Sequence, residues 1–171
     1  MPVPVQTTRA TSVTASSLEH FNTAPPDEAV QTLLTCLNSR DWAHPLTAHR
    51  PYPDLPALLA AADEAAYDLS PVGLTEALAA EALPTLPEDT YAAAHTALSA
   101  ATAAYESRFG HAFVICLDGL PASEALDHVL EGIRSRLAND PDEERLVASE
   151  ELRRLATGRL TRLLGAGPQC A

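Results

Sequence analysis

A chain of 171 residues is enough for one domain, and 46% apolar with 20% charged residues can build a core beneath a soluble surface. The formal charge of −12, from 23 acidic against 11 basic residues, excludes the basic face that nucleic acid requires and disfavours an anionic membrane surface. Every basic residue is an arginine, so a Schiff-base mechanism, a pyridoxal phosphate enzyme and a Walker A phosphate loop are excluded as well.

In chain order, residues 1–17 are rich in Ser and Thr and lack the charged and apolar regions of a signal peptide, so they read as a disordered leader. Pro25-Pro26-Asp27-Glu28 then opens a helix over 26–38, with a proline-led acidic first turn and Val30, Leu33, Leu34 and Leu37 at helical spacing. A short segment over 41–50 carries Trp42 and is broken by Arg50-Pro51-Tyr52-Pro53. Residues 54–68 predict a second solid helix, with Leu55, Leu58, Leu59, Ala62 and Ala66 on one face. Ser70-Pro71 caps and opens a fourth element that reaches about 82, where Pro84 and Pro87 end it.

An alanine-rich helix over 88–107 follows. Residues 109–118 change character: Phe113, Val114 and Ile115 are β-formers held between Gly110 and Gly119. No second strand is available, so this stretch predicts an extended, buried connector that lines a small-molecule pocket or simply fills the core between two helices. A helix over 123–138 carries Leu126, Val129, Leu130, Ile133 and Leu137, Asn139-Asp140-Pro141 stops and restarts the chain, and a last helix runs to 164 before Gly165 and Gly167. The expected fold is all-α: a single-domain helical bundle over 18–165 with one extended buried connector and a flexible tail, 166–171. No apolar run approaches the roughly 20 residues that span a bilayer, and the cytoplasm is the expected location.

Candidate chemistry is sparse. The connector leaves helix geometry, which frees backbone N–H and C=O groups that a ligand can satisfy. Arg154 and Arg159 lie in an otherwise apolar stretch of the last helix, where a guanidinium suits an anionic substrate, although a helix arginine is more often a solvated residue. Glu81 ends the fourth element and, in a pocket, is a general acid or base; its bland alternative is a surface carboxylate. Cys36 and Cys116 read as small buried hydrophobes. Among the histidines no H-x-H or H-E-x-x-H pattern occurs, so no metal is expected.

Several landmarks nonetheless fall in a recognisable order. They are Phe21-Asn22, Trp42, Arg50-Pro51-Tyr52, the L-x-x-L-L-x-A-A-D of the helix over 54–68, Leu69-Ser70-Pro71, and Tyr105-Glu106-x-Arg108-Phe109-Gly110-x-x-Phe113-x-Ile115-Cys116. Arg136-Leu137-x-Asn139-Asp140-Pro141, Glu144, Glu150-Glu151 and Arg159-Leu160 complete the series. Together they resemble the family of OHCU (2-oxo-4-hydroxy-4-carboxy-5-ureidoimidazoline) decarboxylases, over nearly the whole chain past residue 20.

The resemblance implies an all-helical bundle, often a homodimer, that works without a cofactor on a small molecule of purine breakdown. It implies that substrate lies against the Phe109, Gly110, Phe113 and Ile115 segment and that Arg159 holds its carboxylate or ureido end. The family's histidine in H-P-x-I-G and its assisting glutamate in a G-E-Q-like motif are both missing. Glu81-Ala82-Leu83-Pro84-Thr85 stands where the histidine motif belongs, and Pro87-Glu88 leads directly into the next helix. Glu81 is the nearest occupant of the histidine's place, and His111, inside the connector, is the other candidate acid or base. The implied function is a cofactor-independent lyase acting on a small anionic heterocycle. The alternatives are a relative recruited to cyclisation or isomerisation in secondary-metabolite biosynthesis, and a non-catalytic ligand-binding module.

Overall fold

The computed structural model describes residues 17–83 and 92–165. The expected leader up to residue 16, the tail, Pro84, Pro87 and the first turn of the helix expected from residue 88 lie outside them. Among the described residues there are helices only, eight of them: α1 (Ser17–Thr23), α2 (Pro26–Leu34), α3 (Arg40–Ala48), α4 (Leu55–Tyr67), α5 (Pro71–Ala80), α6 (Ala92–Phe109), α7 (Ala122–Arg136) and α8 (Pro141–Leu164). None of these helices is long and apolar enough to cross a membrane.

Local chemistry explains where several of them begin. The side chains of Asp54, Ser70 and Asp140 accept from the backbone N–H of Ala57, Gly73 and Glu143 at 2.8, 3.0 and 2.8 Å, each satisfying a donor that the first helical turn leaves free. Proline at an opening position of α2, α4, α5 and α8 needs no such partner.

Two elements differ from expectation. Helix α1 has no periodic apolar pattern; it is held from outside, because the Arg50 guanidinium donates to the Phe21 and Ala24 carbonyls at 2.6 and 2.9 Å. Asn22 also exchanges two 2.9 Å hydrogen bonds with the Tyr52 backbone. Helix α2 is shorter than its leucine spacing implied. It ends at Leu34, and a tight turn carries Cys36 and Leu37 on into the core.

α4 packs along α8 at the centre of the molecule, with α2, α3 and α5 around them. This core contains the fully buried Leu33, Trp42, Leu58, Leu152 and Leu160, and the Trp42 indole donates to the Ala62 carbonyl at 2.9 Å. A second cluster, Tyr105, Phe113, Ile115, Val129 and Ile133, joins α6, α7 and the connector.

The connector is extended and buried. Gly110 and Gly119 flank it with φ of 77° and 84°, a backbone region that disfavours any side chain. Its side chains alternate as in a strand: Phe113 and Ile115 enter the second cluster, and Val114 enters the first. Side chains replace the missing partner strand. Arg136 donates to the Val114 carbonyl at 2.6 Å, and the Cys116 N–H donates to Glu151 at 2.7 Å.

α7 lies close against the connector at Gly132, where a Cβ would stand 3.1 Å from Ile115 Cδ1 and 3.2 Å from Phe113 Cζ. Gly132→Val forces those side chains apart, and urea denaturation should show a loss of about 1–3 kcal/mol.

Candidate active site

Glu81 is the residue at which α5 stops, with an extended backbone (φ −81°, ψ 150°) that turns its side chain out of the helical path. Arg159 projects from the C-terminal part of α8. The two meet as a fork on a carboxylate: Arg159 Nη1 lies 2.7 Å from Glu81 Oε1 and Nη2 lies 2.9 Å from Oε2. The Glu81 side chain is 7% exposed and that of Arg159 31%, so the pair is sheltered rather than superficial. Nη1 also donates to the Cys36 carbonyl at 3.0 Å, tying the site to the turn after α2. The hydrogen bonds that Arg159 donates to Glu81 push the already high arginine pKa higher still, so this guanidinium is a permanent cation.

The pair forms one wall of an open cleft of about 630 Å³, whose other lining residues are Leu34, Thr35, Asn38, Ala80, Ala82 and Leu83. Thr35 and Arg159 also belong to an adjoining shallower hollow of about 290 Å³, with Cys36, Arg162 and Leu163. Three residues along α8, Arg162 donates to Asp118 at 2.9 Å. A Cβ on Gly158 would lie 2.0 Å from Asp118 Oδ2, so the absence of a side chain there lets the end of the connector reach α8. Burial raises the Cys36 thiol, although Thr35, Arg159 and Arg162 oppose that shift, and the cysteine is a packed neutral group rather than a nucleophile.

Of the residues singled out from sequence, the structure brings Glu81 and Arg159 together. His111 is elsewhere: its Nδ1 lies 3.0 Å from the Ala112 carbonyl, and its ring packs edge-on to Tyr105 with centroids 5.6 Å apart. Phe109, Phe113 and Ile115 belong to the aromatic cluster of α6 and α7, and Gly110 supplies the left-handed turn into the connector. Arg154 is exposed on α8 and pairs with Glu150 and Glu151. Thr35 and Asn38, which line the cleft, and Asp118, which pairs with Arg162 beside it, were not anticipated from sequence. No local pattern marks them, since segments far apart in the chain bring them together.

Behind the connector, Glu144 is fully buried and accepts from Arg136 Nη2 at 2.6 Å, Arg136 Nε at 2.9 Å, Asn139 at 2.9 Å and the Tyr105 hydroxyl. The phenol's pKa is pushed up, first by burial and then by its hydrogen bond to Glu144. This network fixes α6, α7, α8 and the connector against one another, and thereby the position of Asp118. Among the described residues there is no cluster of His, Cys, Asp and Glu suited to a metal ion.

The family model described as OHCU decarboxylase matches residues 22–86 and 81–161. A search of curated proteins gave no match. Among solved structures, the chain is similar to an OHCU decarboxylase crystallised in the presence of (S)-allantoin, with a TM-score of 0.69 and 20% identity over 84% of this chain and 100% of that one. It is also similar to an (S)-allantoin synthase, with a TM-score of 0.64 and 18% identity over 86% of this chain and 54% of that one.

Proposed function

The chain belongs to the OHCU decarboxylase family, and on that premise we propose that it is a lyase that removes CO₂ from a small anionic heterocycle of the ureidoimidazoline kind, without a cofactor. The observation that carries this reading is the forked Glu81–Arg159 pair in the cleft between α2, α5 and α8. An arginine fork fits a carboxylate in two parallel hydrogen bonds, and here it already holds one in that geometry. The substrate's carboxylate takes the place of Glu81 on the fork, which sets the scissile bond beside the displaced side chain.

When the C–CO₂ bond breaks, its electron pair stays with the ring, and a proton from solvent balances the lost carboxylate charge. The resulting enol must lose its hydroxyl proton, and a ring carbon must gain one on a single face. Glu81 is the group beside the bound carboxylate able to make that transfer, accepting from oxygen and giving to carbon. Arg159 meanwhile holds the departing carboxylate in a sheltered, pre-arranged site. In this reading the connector braces α8 next to the cleft, where Asp118 accepts from Arg162 one turn beyond Arg159, with Phe109, Gly110, Phe113 and Ile115 fixing its course and His111 packed in the aromatic cluster.

The test is a coupled assay in which uric acid is converted by uricase and hydroxyisourate hydrolase, and chiral allantoin is followed by circular dichroism. Rapid appearance of the (S)-allantoin signal on adding this protein is the expected result. A trace that matches the uncatalysed racemic decay overturns the reading and points to a family member acting on another substrate.

A further inference from the structure

Glu81 occupies the seat that the proposed reaction needs for its substrate. Both of its oxygens lie on the two terminal nitrogens of Arg159, so an incoming carboxylate reaches that end-on donor pair only by displacing Glu81. The side chain is 7% exposed, hence the contact is not a loose surface pairing. The neighbouring arginine also has a carboxylate partner of its own, Asp118, which accepts from Arg162 Nη1 at 2.9 Å. Across the two pairs the formal charges cancel, −2 from the carboxylates and +2 from the arginines, in a chain whose net charge is −12. An anion entering here therefore meets arginines that are already neutralised.

We infer that Glu81 is a specificity-determining residue: a built-in carboxylate that competes for Arg159 and admits only ligands whose remaining atoms gain enough in the cleft to displace it. A protein whose competent state is a minor one binds its ligand more weakly by that fraction. Simple carboxylates are therefore held off, and a carboxylated ring that also contacts Leu34, Asn38 and Leu83 is favoured. The inference rests on the proposed role of Arg159 as carboxylate holder, but it concerns binding and is measured without turnover.

The experiment is calorimetric titration of the full chain with imidazole-4-carboxylate, a stable five-membered ring acid, and with neutral (S)-allantoin. Glu81→Gln should bind the carboxylate at least about tenfold more tightly than the unaltered protein, with no matching gain for (S)-allantoin. Asp118→Asn removes the same single charge without freeing Arg159 and should show no such gain; an equal gain in both variants means general electrostatics and overturns the inference. Arg159→Gln in the Glu81→Gln background should abolish the gain, and a gain that survives there overturns it too. Glu81→Ala repeats the comparison should the glutamine hold the arginine by its own carbonyl, and equal carboxylate affinity in both Glu81 variants and the unaltered protein overturns the inference outright. Failure here leaves the allantoin assay to stand or fall separately, and a positive titration with a negative assay retains the gate while discarding the decarboxylase.

Discussion

Glu144→Ala is expected to destabilise the fold by about 3–5 kcal/mol, because it strands a buried cation rather than merely deleting a contact. Arg136 is 7% exposed, and Glu144 neutralises it while also receiving Asn139 and the Tyr105 hydroxyl. With the carboxylate gone, the guanidinium keeps the Val114 carbonyl at 2.6 Å, a long 3.4 Å contact to the Tyr105 hydroxyl, and the Phe113 ring face 4.4 Å from its carbon, none of them an anion. For a domain of this size the loss corresponds to a fall in melting temperature of roughly 10 °C or more.

The companion variant Arg136→Met with Glu144→Leu separates charge from volume. It removes both charges and keeps the space filled, so it should recover part of the loss, with the Tyr105 hydroxyl and Val114 carbonyl still short of partners. Equal destabilisation of the single and double variants in urea unfolding would place the effect in packing instead.

Both partners of that network carry a signal in the sequence. Arg136 falls in register with Val129 and Ile133 on the buried stripe of α7, and Glu144 heads the stripe Ala148, Leu152, Ala156, Leu160 on α8. A charged residue at an apolar-face position must be paired, and these two lie eight residues apart across the Asn139-Asp140-Pro141 turn.

Other features were legible because they are local. The α4 stripe of leucine and alanine, the Ser70-Pro71 start of α5 and the glycines bounding the connector each follow from neighbouring residues. α1 was not legible, since Arg50 and Tyr52 hold it, nor was the early end of α2, since the tight turn after Leu34 preserves the inward spacing of Leu37. Arg159 was picked out by its apolar surroundings on the last helix, Glu81 by its place at the end of the fourth element, and the resemblance added to both. Their pairing spans 78 residues and is decided by the packing of α5 against α8, which no local pattern records.

In the coupled allantoin assay, Glu81→Gln should lower turnover about 10²–10⁴-fold, the usual loss when a proton-transfer group is removed. Glutamine keeps the size of the side chain and one acceptor, so the loss reports the proton and not the shape of the cleft. The same variant relieves competition for Arg159, so KM should fall together with kcat, as when an unfavourable ground-state interaction is removed. A residue that only braced α5 against α8 would not lower both constants at once.

Arg159→Lys should shift KM the other way. An ammonium retains the charge but cannot meet two carboxylate oxygens in parallel, nor reach Cys36 and Glu81 from one planar group, so KM should rise by about tenfold or more. The two variants therefore displace KM in opposite directions although each disturbs the same ion pair. That opposition is what Glu81 and the substrate's carboxylate taking turns on one arginine requires, and movement of KM in the same direction in both variants would reduce Glu81 to a structural counter-ion.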